Sequence, residues 1–148
     1  MVAPLYKCNM TDIMAAIGLV QLRRYPELLA RRYDMVRRYD AQLPQEVLRP
    51  AHLRPDMTSD CHLYLARLPG KTHGTRSEII TRMAERGVAC NVHYKPLPLL
   101  TAYKNLGFRM EDYPNAYAQF ENEITLPLHT LLFDEDIDYV CACLKECL

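Results

Sequence analysis

Cysteine and histidine are the residue types in this sequence with the widest chemical repertoire, since both can bind transition metals. Cys90 and His93 stand in a C-x2-H spacing, and the adjacent Cys61 and His62 could supply the other half of a zinc site. Cysteine-rich zinc sites usually contain a paired C-x2-C, which this sequence lacks. Strand-like alternation around both pairs already accounts for these residues, so we predict no metal site.

A series of arginine pairs is the second feature that could take part in binding. The pairs at 23/24, 31/32 and 37/38 could contact phosphate groups. Lys+Arg and Asp+Glu both total 18, however, so the formal net charge is zero and no overall basic field favours nucleic acid. We predict that the pairs form the solvated face of a helix and that the chain does not bind nucleic acid. The sequence also contains no P-loop, nucleophile elbow or dinucleotide fingerprint.

The first third of the chain is predicted to be helical. Residues 10–43 are helix-compatible apart from Gly18 and Pro26, and the proline is expected to end one helix and begin another because its ring removes a backbone donor. Before Pro26, the apolar residues within 13–20 cover every side of the helix, which predicts burial all round. After it, a seven-residue apolar repeat predicts an amphipathic helix. The repeat consists of Leu22, Leu29, Val36 and Leu43.

Predicted strands and helices follow one another in the rest of the chain. A strand is expected at His62–Leu68, with Leu63 and Leu65 on one face. Thr75–Glu78 matches a capping box, and Gly87 supplies the left-handed residue that closes the helix. Val88–Tyr94 is expected to be the next strand, which gives a strand-helix-strand unit.

Four shorter elements complete this pattern. We predict a helix from Leu99 to Leu106 closed by Gly107, a helix from Pro114 to Asn122, a strand from Ile124 to Leu126 and a final helix with an acidic N-terminal turn. The order indicates an α/β (α+β) fold.

The sequence also bears on cellular location. No apolar stretch follows a basic segment as in a signal peptide, and no apolar run approaches the roughly 18 residues that span a bilayer. Six cysteines without a secretion signal are expected to be reduced thiols. Cys141, Cys143 and Cys147 are expected to be small core or surface residues. We therefore expect a cytoplasmic chain that does not enter a membrane.

The segment from Tyr6 to Leu22 reads YKCNMTDIMAAIGLVQL. It resembles the segment that reads approximately GYKYNMTDIQAALGLVQL in DegT/DnrJ-type nucleotide-sugar aminotransferases. Further matches follow in the same order along the chain, at His62–Tyr64, Arg76–Ile80, Glu85–Gly87, Val92–Tyr94, Tyr113–Pro114 and Leu126–Leu128. The resemblance therefore covers nearly the whole sequence.

This resemblance implies the small C-terminal domain of a fold-type I, pyridoxal-phosphate-dependent transferase, preceded by a long interface helix. Such enzymes work as dimers and move an amino group to a keto sugar attached to a nucleotide. Their Schiff-base lysine lies upstream of the segment that this chain resembles, and none of the five lysines here stands in a similar motif. We therefore expect no catalytic residue in this chain and no transamination by the chain alone.

Two residues before the first helix match the stretch that reaches the cofactor phosphate of the neighbouring subunit in the family. The resemblance assigns Lys7 and Asn9 to cofactor binding, and an ammonium or amide donor near a helix start suits an anion. The alternative is that Lys7 is an exposed lysine and Asn9 a helix cap.

His93 and Tyr94 match the family's histidine-tyrosine pair near the sugar-nucleotide pocket. They end a predicted strand and precede a loop held by Pro96 and Pro98, a position where ligand-binding groups are often found. By resemblance both bind substrate. The alternative for His93 is a histidine that only bonds a backbone carbonyl.

Two functional hypotheses remain open. In the first, residues 1–44 form a helical interface segment and residues 45–148 a small domain, functional as a homo-oligomer or with a chain that carries the large, cofactor-binding domain. In the second, the chain is a non-catalytic interaction module derived from such an enzyme. In either case, residues 10–22 of the isolated chain would expose an apolar patch that promotes self-association. The sugar, the aminated carbon and the amino donor cannot be read from the sequence.

Overall fold

The computed structural model describes residues 10–148. Five α-helices and a two-stranded antiparallel sheet lie within that range, with 3-10 turns at Leu97–Leu99 and Met110–Asp112. In chain order the elements are α1 (Asp12–Gln42), β1 (Tyr64–Arg67), α2 (His73–Glu85), α3 (Thr101–Asn105), α4 (Pro114–Asn122), β2 (Glu123–Leu126) and α5 (Asp134–Cys147). None of these helices is long and apolar enough to cross a membrane.

Helix α1 is a single helix of 31 residues with Pro26 inside it. The prediction that Pro26 divides two helices was therefore wrong. A proline removes one backbone donor, and the surrounding residues favour helix strongly enough for α1 to continue past that local cost. At its start, the Thr11 hydroxyl accepts a hydrogen bond from the Met14 amide at 3.3 Å, which caps the first turn.

The two ends of α1 have different environments. Near its C-terminal end, Met35, Val36 and Tyr39 are completely buried. The N-terminal half carries an exposed apolar stretch, as expected for residues 10–22 of the isolated chain. This stretch consists of Ile13, Met14, Ile17, Leu19, Val20 and Leu22.

The sheet pairs β1 with β2, and Tyr64 lies opposite Leu126 in the register. Tyr64 and Ala66 are buried while Leu63 and Leu65 are only partly so. The face that carries Leu63 and Leu65 is therefore not the one directed into the core. Isolated bridges widen the sheet on both sides, from Leu48 to β1 and from Asn91 to β2.

Helix α2 begins one turn earlier than the sequence pattern indicated. Thr72 is its N-cap and exchanges hydrogen bonds with Thr75, so the predicted capping box from Thr75 to Glu78 was wrong. Gly87 has φ = 78°, a left-handed conformation that glycine adopts without a Cβ clash, as predicted for the residue that ends this helix. The segment after Gly87 is extended but joins the sheet through one bridge at Asn91, so the full strand predicted at 88–94 is not formed.

Charged side chains attach α5 to the buried half of α1. Arg38 donates to both carboxylate oxygens of Asp138, at 2.5 and 2.6 Å, and to Asp134 at 3.0 Å. Arg31 also donates to Asp134 at 2.7 Å, and Gln42 donates to Asp138. Arg31 and Arg38 thus depart from the solvated role predicted for the arginine pairs, because a partner helix presents carboxylates to them.

The core lies between α1, α2, α5 and the sheet. Its largest members are completely or nearly completely buried side chains from each of these elements: Met35, Tyr39, Tyr64, Met83, Ile124, Leu126, Ile137 and Leu144. The Tyr39 and Tyr64 rings pack with centroids 4.7 Å apart. The Tyr39 hydroxyl donates to the Pro127 carbonyl at 2.7 Å, so its buried polar end is satisfied.

Candidate functional site

The segment from Asn91 to Tyr94 lies along the outer side of β2. It is held there by a pair of backbone hydrogen bonds, from Thr125 N–H to the Asn91 carbonyl at 2.8 Å and from Asn91 N–H to the Thr125 carbonyl at 3.2 Å. This pairing places His93 beside the polar residues of β2. The His93–Tyr94 peptide bond is cis.

Two residues of β2 hold His93 through both its backbone and its ring. The His93 amide donates to Glu123 Oε2 at 3.0 Å. The ring Nδ1 lies 2.9 Å from Thr125 Oγ1, and that hydroxyl donates to Glu123 Oε1 at 2.7 Å. The ring Nε2 lies on the more exposed side, 3.4 Å from Asn91 Nδ2. One buried glutamate therefore orients the histidine at two points.

The electrostatics around Glu123 are those of a buried charged group. Glu123 is 1% exposed. Burial raises the pKa of its carboxyl, while hydrogen bonds from Thr125 and the His93 amide, and the positive charge of Arg76, lower it in part. Arg76 is itself buried, which lowers the pKa of its guanidinium, and the Glu123 charge opposes that effect. Arg76 also donates to the Phe120 carbonyl at 3.2 Å.

Tyr94 extends from this network toward solvent. Its side chain is 70% exposed, and its ring meets the His93 ring edge to face with centroids 4.6 Å apart. The loop that follows lines an apolar cavity of about 340 Å³. The cavity is lined by Pro96, Leu97, Pro98, Tyr103, Phe108, Tyr113 and Ala116. The exposed tyrosine and the anchored histidine are thus in contact, and the residues that line the aromatic cavity begin two positions later in the chain, an arrangement that suits binding of a ligand with polar and apolar parts.

The structure brings together some of the residues selected from the sequence. His93 and Tyr94 are neighbours in the arrangement just described, whereas Lys7 and Asn9 lie outside the described residues. The Cys90 side chain is separate from this arrangement and packs against the core, and burial raises the pKa of its thiol to about 12. No group of three or more histidine, cysteine, aspartate or glutamate side chains in residues 10–148 is placed to hold a metal ion.

Sequence reasoning missed Glu123, Thr125 and Arg76. One local signal was available for the first two, since Glu123 and Thr125 alternate with Ile124 and Leu126 in a strand that is buried throughout. Polar side chains at alternate positions of a buried strand need partners inside the protein. Their partner His93 is 30 residues away in the chain, so the pairing itself required the structure.

Comparison with known proteins places this geometry in context. The model of the DegT/DnrJ/EryC1/StrS aminotransferase family matches residues 3–145. The spore coat polysaccharide biosynthesis protein SpsC of Bacillus subtilis (strain 168) is 33% identical across 97% of this chain. The chain spans only 38% of the length of SpsC.

Solved structures give the same result. The apo form of Spr1654 from Streptococcus pneumoniae, assigned as a sugar aminotransferase, is 57% identical over 99% of this chain with a TM-score of 0.95, and the chain spans 37% of it. Structures of Spr1654 in the PLP form and the PMP form each have a TM-score of 0.92. PseC of Helicobacter pylori, an aminotransferase involved in the biosynthesis of pseudoaminic acid, is 25% identical over 94% of the chain with a TM-score of 0.81, and the chain spans 38% of it. These matches confirm the predicted α/β (α+β) fold of a small aminotransferase domain.

Proposed function

Because this chain belongs to the DegT/DnrJ/EryC1/StrS aminotransferase family, we propose that it is the C-terminal part of a pyridoxal-phosphate-dependent enzyme that aminates nucleotide-linked keto sugars. The observation that carries this proposal is the match to Spr1654 along 99% of the chain. Spr1654 is assigned as a sugar aminotransferase, and SpsC is named for polysaccharide biosynthesis. These similarities support a proposed role for this chain in sugar or polysaccharide biosynthesis, and we propose that it acts in the cytoplasm.

The cofactor of the complete enzyme is pyridoxal phosphate, which supplies the electron sink for amino transfer when bound. The described residues do not form its site by themselves. Lys71 Nζ donates to the Leu148 carbonyl at 2.9 Å, and the other described lysines, Lys95, Lys104 and Lys145, stand exposed on the surface. The cofactor is therefore held mainly by residues beyond this domain, and we assign Lys7 and Asn9 a contact with its phosphate across a subunit boundary.

Residues of this domain contribute to the substrate side of the site. His93 and Tyr94 bind the nucleotide-linked sugar, since His93 is fixed by β2 while Tyr94 remains accessible. No proton transfer is assigned to either residue. Their role is to place the sugar, which favours reaction by holding the two reactants in a fixed geometry.

Residues 1–44 serve as a helical interface segment and residues 45–148 as the small domain. The exposed apolar stretch of α1 supports this division, because a continuous exposed apolar surface marks an interaction site. The partner is a second copy of the enzyme or a large domain that binds the cofactor. Nucleic acid and membranes are not partners.

Fusion with a known large domain tests the proposal. The part of Spr1654 that precedes its match to this chain is joined to the 148 residues, and pyridoxal phosphate is added. We expect L-glutamate to convert the PLP form to the PMP form, and a nucleotide-linked keto sugar to reverse that conversion. A fusion that folds and binds the cofactor but reacts with no member of a panel of such sugars would refute the sugar assignment.

A non-catalytic interaction module is the second candidate, favoured by the exposed stretch of α1 together with the lack of a complete cofactor site in residues 10–148. The isolated chain distinguishes it from a self-sufficient enzyme. After incubation with pyridoxal phosphate and reduction with borohydride, we expect no stoichiometric adduct at one lysine by mass spectrometry. An adduct accompanied by amino transfer would show that the chain is active alone. Catalysis by the fusion, in contrast, would exclude the non-catalytic module.

A further inference from the structure

The hydrogen bonds between Glu123, Thr125 and His93 fix where the proton of the histidine ring lies. Burial raises the pKa of Glu123, and above that pKa its carboxylate is ionised and only accepts hydrogen bonds. It accepts one from the His93 amide at 3.0 Å and one from the Thr125 hydroxyl at 2.7 Å. The threonine hydroxyl has a single proton, which this bond uses. At its 2.9 Å contact with His93 Nδ1, Thr125 must therefore accept, so the proton of the neutral ring is on Nδ1.

The second ring nitrogen then has the opposite character. In a neutral imidazole with its proton on Nδ1, Nε2 carries a lone pair and accepts hydrogen bonds. Its neighbour in the structure is the side-chain amide nitrogen of Asn91, a donor, at the long distance of 3.4 Å. Nε2 lies on the exposed side of the ring beside Tyr94, where a ligand can reach it.

We propose that Glu123 is a positioning residue that, through Thr125, keeps the proton of His93 on Nδ1 so that Nε2 accepts a hydrogen bond from a hydroxyl of the sugar substrate. Because the Nδ1 proton is bonded to Thr125, the neutral ring has no free donor for a phosphate oxygen. It therefore recognises the sugar and not the diphosphate. The binding part of this inference rests on the proposed function, whereas the ring tautomer is a property of this chain alone.

Replacement of Glu123 by glutamine reverses the chain of donors without changing its shape. The His93 amide still donates a hydrogen bond that needs an acceptor. The glutamine oxygen therefore takes the position of Oε2, and the glutamine NH2 group faces Thr125. Thr125 then accepts from the glutamine and directs its own proton to His93 Nδ1. The ring proton moves to Nε2, which becomes a donor. The variant Thr125→Val removes the relay altogether, and Thr125→Ser retains it.

The tautomer is measured on the isolated 148-residue chain with ¹⁵N-labelled histidine. Ring ¹⁵N shifts and two-bond ¹H–¹⁵N couplings are recorded at a pH where the same spectra show a neutral ring. We expect the Nδ1–H form in the native chain, in Thr125→Ser and in the control Glu121→Gln, which changes the same residue type two positions away on α4. We expect the Nε2–H form in Glu123→Gln and loss of the Nδ1–H preference in Thr125→Val. Circular dichroism establishes that each variant is folded.

Two results overturn the inference: an Nε2–H ring in the native chain, or an Nδ1–H ring that persists in folded Glu123→Gln. The binding part is measured on the fusion enzyme. Glu123→Gln should raise the KM for the nucleotide-linked sugar about tenfold, the value of one hydrogen bond, and leave the half-reaction with glutamate unchanged. An unchanged KM refutes the binding part. An inactive fusion counts against the proposed function only, because the ring spectra do not depend on activity.

Discussion

The exposed apolar stretch of α1 should drive self-association of the isolated chain, and Ile17 offers a measure of its strength. Ile17 is 54% exposed. Complete burial of an isoleucine side chain contributes ~1.5–3 kcal/mol, so burial of the exposed half contributes ~1 kcal/mol in each copy. In a twofold contact both copies bury the residue, which amounts to ~2 kcal/mol. Because ~1.4 kcal/mol is a factor of ten in affinity, Ile17→Lys should weaken dimerisation roughly thirtyfold.

Sedimentation velocity over a range of concentrations measures this change. The control is Leu131→Lys, because Leu131 is 82% exposed but lies in the loop before α5, outside the exposed apolar stretch of α1. We expect the control to associate like the native chain. A native chain that sediments as a monodisperse monomer, with amides of residues 12–22 protected from hydrogen exchange, would show that the stretch is buried within one chain and would refute the reasoning.

Two further predictions concern stability. Tyr39→Phe should lower the free energy of unfolding by ~1–2 kcal/mol in urea titrations, because the Pro127 carbonyl loses its buried donor. The control Tyr25→Phe, at an exposed tyrosine, should change the free energy of unfolding little. An equal loss in both variants would contradict the role of the Tyr39 hydroxyl. The Arg38 guanidinium lowers the pKa of Asp138 from 3.8 to about 2. Asp138 should therefore stabilise the fold above its unfolded pKa and lose that contribution as pH falls from near 4 to near 2. Thermal melts of Asp138→Asn should show a smaller decrease over this window, and an identical decrease would argue against the ion pair.

Local sequence patterns predicted the elements whose ends depend on single residues. The start of α4 at Pro114, and the left-handed conformations at Gly87 and Gly107, followed from the backbone preferences of proline and glycine. Such preferences act within a few residues, so a linear pattern contains them. The prediction of a helix break at Pro26 was wrong because the free energy gained from a continuous helix exceeded the loss of one backbone hydrogen bond.

Properties that depend on distant residues could not be predicted in the same way. Leu63 and Leu65 form one apolar face of the predicted strand, and Tyr64 and Ala66 form an equally apolar opposite face. Only packing against α1 decides which of the two faces is buried. The site shows the same limit. The sequence indicated His93, but its orientation depends on β2, about 30 residues later in the chain.

The continuity of α1 also gives the molecule a mechanical property. The helix is fixed in the core at Met35, and its start at Asp12 lies 23 residues away, a distance of ~35 Å at 1.5 Å per residue. A rotation of ~5° at the fixed end would displace the free end by ~3 Å. A partner surface that binds the exposed half of α1 therefore sets the orientation of the whole domain through this one helix. Helix α1 bends most easily at Pro26, because a backbone hydrogen bond is missing there.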